Sequence, residues 1–225
     1  MPDPIRILRV LAAACARIAF MQRNLLPIIL FSGIYLLIAL AWVLIQGNYE
    51  FLAYIVIVLV LAGAVIAVDA NVRLPEPLLW CLSAWGLLHM AGGLLPVPEA
   101  WPIGGESHVL YNLWLIDGRL KYDQAVHAFG FGVTTWLCWE CLKSMLAERE
   151  SPVFPTFGKL VLCAAAGMGF GALNEVIEFV ITLIVPENNV GGYVNTGLDL
   201  VSNMVGAVGA ALLIRWRYSA GSGTP

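Results

Sequence analysis

The chain has 225 residues, of which 60% are hydrophobic and 12% charged, with a net charge of −3 and a mean hydropathy of +0.83. A soluble domain is typically about 45–50% apolar and about 25% charged, so this much apolar surface calls for lipid as the solvent. The small negative charge is unremarkable and gives no sign of a nucleic-acid partner.

Residues 4–23 come first and read as an interfacial amphipathic helix. Arg6, Arg9, Arg17 and Arg23 alternate with Ile5, Leu8, Leu11, Ile18 and Phe20, a pattern suited to an anionic membrane surface or to packing on the first span. A cleaved leader is not expected, because the apolar run that follows is about 20 residues, longer than a signal-peptide core. The expected organisation is an interfacial segment over 1–24, a membrane domain over 25–217 and a polar disordered tail over 218–225.

The membrane domain reads as an all-α bundle of six transmembrane helices. Span 1 covers about Leu25–Ile45 and span 2 about Phe51–Val68, the latter almost pure Val, Ile, Leu and Ala, as suits a lipid-facing scaffold. Span 3 covers about Leu78–Leu95 and carries His89 before Gly92-Gly93. Residues 96–122 form the longest loop, first Pro- and Gly-rich, then aromatic, and are expected to lie at the interface as a lid. Span 4 covers about Asp123–Leu146 and span 5 about Gly158–Val185, where Gly167-x-x-x-Gly171 invites a close helix neighbour. Span 6 covers about Thr196–Trp216, with Gly206 and Gly209 expected at a close contact. Placing the N-terminus inside puts ten Lys and Arg on the inner side and only Arg119 and Lys121 outside. That asymmetry predicts both termini in the cytoplasm.

With this topology, polar residues of four spans fall at one depth, in the outer half of the membrane. Asp123 and His127 are four apart and share a helix face, as do Asp199 and Asn203; Glu175 and Glu178 are three apart. His89 comes to a similar level on span 3. A carboxylate at the centre of a membrane helix costs roughly 2.5–3.5 kcal/mol, so four together need protonation, a divalent cation, or Arg119 and Lys121 folded in from the loop. The spacing points to Asp123, His127, Glu175, Glu178 and Asp199 as metal ligands and to Glu175, Glu178 and His89 as acid–base groups. This donor set suits zinc, manganese, iron or magnesium. Glu140 is expected apart from the site; Glu99, Glu106 and His108 are expected in solvent. The five cysteines, including the Cys138-x-x-Cys141 pair, read as small apolar packing residues.

The set His89-x-x-Gly92-Gly93, Tyr122-Asp123-x-x-x-His127, Asn174-Glu175-x-x-Glu178 and Asp199-x-x-x-Asn203-x-x-Gly206 resembles the uncharacterised bacterial inner-membrane family typified by YjdF, over about residues 25–216. That resemblance implies a multi-pass inner-membrane protein and supplies site positions without an activity. More remotely, the order D-x-x-x-H, E, D-x-x-x-N-x-x-G is similar to VanZ-like membrane proteins. Their second acid is often followed by Gln and Arg, which Glu178 is not, so no antibiotic role is carried over. Three functions stay open: a metal-dependent enzyme acting on a lipid-linked or phosphate-bearing substrate, a proton-coupled transporter, and a membrane protein whose polar cluster only fixes helix packing. No H-E-x-x-H, G-x-S-x-G or Gly-rich phosphate loop is present.

Overall fold

A computed structural model describes residues 23–185 and 188–221. The expected amphipathic helix over 4–23 lies outside the described residues except for Arg23. Among them there are six α-helices: α1 (Leu26–Gln46), α2 (Tyr49–Val72), α3 (Glu76–Leu94), α4 (Tyr122–Leu146), α5 (Phe157–Ile184) and α6 (Tyr193–Gly221). Their ranges overlap the six stretches expected as spans. Helix α6 runs on into the stretch expected as tail.

Helix ends follow local chemistry. Pro27 starts α1, where its missing N–H has no intrahelical partner in any case, and Gly47, at φ 66°, stops it in the left-handed region. The Asn48 side chain caps α2 by accepting from Phe51 N at 3.0 Å. Asp69 Oδ1 then accepts from Leu74 N at 2.8 Å and from Arg23 Nη1 at 3.0 Å, fixing the turn into α3. The long loop is more ordered than its composition suggests. It forms a 3₁₀ turn (Leu110–Asn112) and a small antiparallel hairpin, β1 (Trp114–Ile116) with β2 (Leu120–Lys121), and β2 leads straight into α4.

Five of the helices are long and apolar enough to cross a membrane; α4, though 25 residues long, is the exception in composition. Its position accounts for this. Helix α4 packs against α3, α5 and α6, whereas α1 packs on α2 and α3 at the edge. An enclosed helix needs no all-round apolar surface. The outer helices show lipid-type faces instead, with Leu37, Ile45, Leu183 and Leu212 all exposed. Where α2 meets α1 and α3, the core is Ala39, Val43, Phe51, Tyr54 and Met90; between α4, α5 and α6 it is Trp139, Leu160, Cys163, Ala207 and Ala211. Cys81, Cys138, Cys141 and Cys163 are free thiols.

Small residues set the closeness of the α4 crossings. A side chain at Gly206 would run into the backbone carbonyl of Ala128, and one at Gly132 would meet Gly206 O at 3.1 Å. Gly167 leaves room for Thr135, and Gly171 for the amide of Asn203. Gly209, expected at the same contact as Gly206, instead faces open space, and a methyl group there would meet nothing within 4 Å. Gly206→Ala should therefore destabilise the detergent-solubilised protein by about 1–3 kcal/mol, because backbone cannot step aside as a side chain can. Gly209→Ala should leave the melting temperature unchanged or raise it, by at most about 1 kcal/mol of helix propensity.

Candidate functional site

His127 lies at the centre of a polar cluster built by α4, α5 and α6. Its Nε2 is 3.6 Å from Asp123 Oδ1, one turn earlier on α4, and 3.9 Å from Glu178 Oε1 on α5. On the opposite edge of the ring, Nδ1 is 3.1 Å from Asn203 Oδ1 on α6 and 3.5 Å from Glu175 Oε1. Both neighbours of Nδ1 are acceptors. The geometry is that of an Nδ1–H donating to Asn203, which directs the Nε2 lone pair toward Asp123 and Glu178.

Burial makes this arrangement unusual. His127 is 5% exposed, Glu175 7% and Asp199 0%. Both carboxylate oxygens of Glu175 and Oδ1 of Asp199 are buried and have no hydrogen-bond partner among the described residues. Buried polar atoms are nearly always partnered, and a carboxylate left bare in an apolar interior is costly. Two overlapping triads, Asp123–His127–Asp199 and His127–Glu175–Glu178, place their ligand atoms within 4.8 Å of one another. The imidazole-plus-carboxylate set is that of a zinc, manganese, iron or magnesium site.

Other carboxylate oxygens of the cluster are met by amides, one of them in turn tied to a cation. Asn174 Nδ2 donates to Glu178 Oε1 at 2.7 Å. Asn195, one turn before Asp199 on α6, donates to Asp199 Oδ2 at 2.5 Å and reaches Asp123 Oδ2 at 3.5 Å. Its carbonyl oxygen accepts from the Lys121 ammonium. Lys121 is buried, whereas Arg119 is exposed, so one of the two loop cations folds in and the other does not.

A cavity of about 430 Å³ adjoins the cluster at the end of the bundle where α2, α4 and α6 begin. Asp123 and Glu178 belong both to its wall and to the cluster. Two loops border it, 104–107 and 188–192. Asn112 joins them, donating to Ser107 O at 2.8 Å and Asn189 Oδ1 at 3.2 Å, and Asn189 N donates to Glu50 Oε2 at 3.0 Å. Of the long loop expected as a lid, residues 104–107 border the cavity and are tied through Asn112 to 188–192. His89 lies in the cavity wall, where the Tyr111 hydroxyl bonds its Nδ1. Burial pushes the Tyr111 hydroxyl well above the usual phenol range, so it remains a neutral donor.

The structure brings five of the six sequence-selected residues together: Asp123, His127, Glu175, Glu178 and Asp199. His89 stands in the cavity wall, outside both triads. The glycines after it do not make room for its own ring; Gly92 accommodates Tyr111 and Gly93 accommodates Phe51. Glu140 is indeed separate, accepting from Trp136 Nε1 at 3.0 Å and pairing with Lys143 at 2.6 Å. Glu99 and His108 are exposed; Glu106 is exposed too, yet borders the cavity. Sequence reasoning missed Asn195, Glu50 and Tyr54. A signal was present: Asn195, Asp199 and Asn203 continue one spacing of four, and Glu50-x-x-x-Tyr54 repeats it at the start of α2.

Apolar helices enclosing an acidic, histidine-centred pocket define a multi-pass helical membrane protein. The chain belongs to the family described as "Predicted membrane protein (DUF2238)", whose model matches residues 28–220. This agrees with the resemblance to the YjdF-like family; the VanZ-like similarity gains no support. No curated protein matches the chain, and neither does any solved structure.

If Tyr111 caps His89, Tyr111→Phe should expose the imidazole. Diethyl pyrocarbonate labelling, read site by site by mass spectrometry, should then modify His89 severalfold faster, with His127 still protected and His108 unchanged.

Proposed function

We propose that this protein is a bacterial inner-membrane enzyme with a divalent-metal site in the outer half of the bilayer, acting on a lipid-linked or phosphate-bearing substrate. The observation that carries the reading is the set of three buried, unpartnered carboxylate oxygens of Glu175 and Asp199 gathered around His127. A cation is the partner such oxygens lack. His127, Asp123 and Asp199 would hold it on the Nε2 side of the ring, with Glu175 and Glu178 of the overlapping triad beside them, and Asn203 fixes the imidazole by accepting from Nδ1, the usual support for a metal-bound histidine. Bound there, a divalent metal supplies an activated water or polarises a phosphoryl or acyl oxygen. Glu178 faces the cavity and is steadied by Asn174, which suits it to take a proton from the attacking group. His89, tied to Tyr111, stands across the cavity as the second proton-handling group. The strapped loops 104–107 and 188–192 limit access of water.

A second reading, helix packing alone, draws on the amides of Asn174, Asn195 and Asn203, which each reach a member of the cluster. One experiment separates the two. Protein purified in detergent without chelator should carry near-stoichiometric metal by elemental analysis, and an Asp123→Asn/Glu175→Gln double variant should lose it while remaining folded. No metal in the parent, or loss of folded protein in the single Glu175→Gln variant, would favour packing.

The proposal includes six spans with both termini cytoplasmic, supported by the ten-to-two distribution of Lys and Arg. A cysteine introduced at exposed Glu106 should react with a membrane-impermeant maleimide in intact cells, and one introduced at exposed Glu148 should react only after lysis.

A further inference from the structure

The half of the cavity away from His127 is built by residues that the metal site does not use. Glu50 and Tyr54 lie one turn apart on α2, 7% and 6% exposed, and both line the cavity. Glu50 Oε2 is taken by Asn189 N; Oε1 has no hydrogen bond among the described residues. The Tyr54 ring is fixed edge-on between Phe51 and His89, at centroid distances of 5.3 and 5.4 Å. The side chain is 6% exposed, and its hydroxyl opens onto the cavity wall and makes no hydrogen bond to any described residue. A hydroxyl positioned that firmly without a protein partner is placed to bond a ligand in the cavity.

The charges give the ligand's sign. Among the described residues Glu50, Glu106, Asp123 and Glu178 line the cavity against one lysine, Lys121, whose ammonium donates to Asn195. Even with Asp123 and Glu178 facing a metal, Glu50 and Glu106 leave the far half acidic. Among the described residues Glu50 belongs to no group of three metal-ligating side chains, so the complement is not a second metal ion. A guanidinium would want both oxygens of a carboxylate, and Asn189 already occupies one. A quaternary ammonium has no N–H and would leave Tyr54 and Glu50 Oε1 bare. A primary ammonium donates to both.

We infer that the cavity binds a ligand carrying a primary ammonium, seated on Glu50 Oε1 and the Tyr54 hydroxyl, with the ligand's acidic group toward Lys121. The chemistry is that of an aminoalkyl phosphate, as a free solute or as the head group of a membrane lipid. A cavity of about 430 Å³ is of a size for such a group. The inference deepens the metal-enzyme reading by naming the substrate class, but it stands on α2 residues outside the metal set, so the two can fail separately.

The test uses the full chain in phosphatidylglycerol nanodiscs. Calorimetric titration with O-phosphoethanolamine should give binding roughly tenfold or more tighter than phosphocholine or inorganic phosphate, as expected for a charge-assisted hydrogen bond. Tyr54→Phe, which keeps the ring, and Glu50→Gln, which keeps an acceptor for Asn189, should each weaken it roughly tenfold while metal content stays at the parent's level. In a parallel arm, nanodiscs containing phosphatidylethanolamine should raise the melting temperature of the parent and not of Tyr54→Phe. A response in the lipid arm alone identifies a head group as the source; in the solute arm alone, a free aminoalkyl phosphate. Equal binding of phosphocholine or phosphate, parental affinity in both variants, or no response in either arm would overturn the inference. Ammonium binding by a protein that carries no metal after purification without chelator would retire the metal reading and leave this one intact.

Discussion

A carboxylate removed from water must recover in the protein the solvation it gave up, and in this bundle four of them converge on one imidazole. That requirement explains much of the architecture. Amides are brought in wherever a carboxylate oxygen can be reached: Asn174 to Glu178, and Asn195 to Asp199. Lys121 is drawn from the loop into a buried position beside them. Helix α4, which carries the histidine and the first carboxylate, is enclosed by α3, α5 and α6, and the helices at the periphery keep the apolar faces. Among the described residues those amides leave three carboxylate oxygens bare, both of Glu175 and one of Asp199, and the Asn203 amide nitrogen beside them is bare as well. Unsatisfied donors and acceptors gathered around one imidazole are what a site open to a further ligand would show.

The glycines serve the same end. Gly171 opens the space that the Asn203 amide fills, and Asn203 in turn orients His127. Gly206 brings the α6 backbone against Ala128, one residue from His127, which carries Asp199 and Asn203 to within reach of the ring. Helix approach and polar geometry are thus one design: a bulkier residue at either glycine would separate the groups that the cluster holds together.

The helical spacing makes most of this cluster legible in the sequence. Asp123 with His127, Glu175 with Glu178, and Asp199 with Asn203 each fall on one face at intervals of three or four, and topology alone places them at a common depth. The helices themselves are legible too, because a membrane span announces itself by length and apolarity; α4 reads as a span through its neighbours' pattern although its own composition is weaker. Other features depend on partners distant in the chain. Nothing local to Glu50 says that Asn189 N lies against it, and nothing local to Tyr111 says that it meets His89. Span 2, plain scaffold by its Val- and Ile-rich body, turns out to line the cavity with its first two turns. Gly209 escapes the expected contact because small residues three apart do not share one contact line on every helix; crossing angle decides which one meets the neighbour.

Chain order adds a constraint on biosynthesis. His127 and Asp123 emerge with α4, the one of the six described helices without a span-like apolar stretch, but the glutamates and amides they need come from α5 and α6, some fifty to eighty residues later. Until then, among the described elements, α4 has α3, α2 and the 3₁₀ turn and hairpin of the preceding loop for company. A polar helix in that position is poorly suited to rest alone in hydrocarbon. The growing chain must therefore keep α4 sheltered, at the insertion machinery or against α3, until its later partners are made, and the pocket is completed only when α6 docks. Nascent chains ending before α6 would carry a half-built acidic face with nothing to cover it, a natural substrate for membrane quality control.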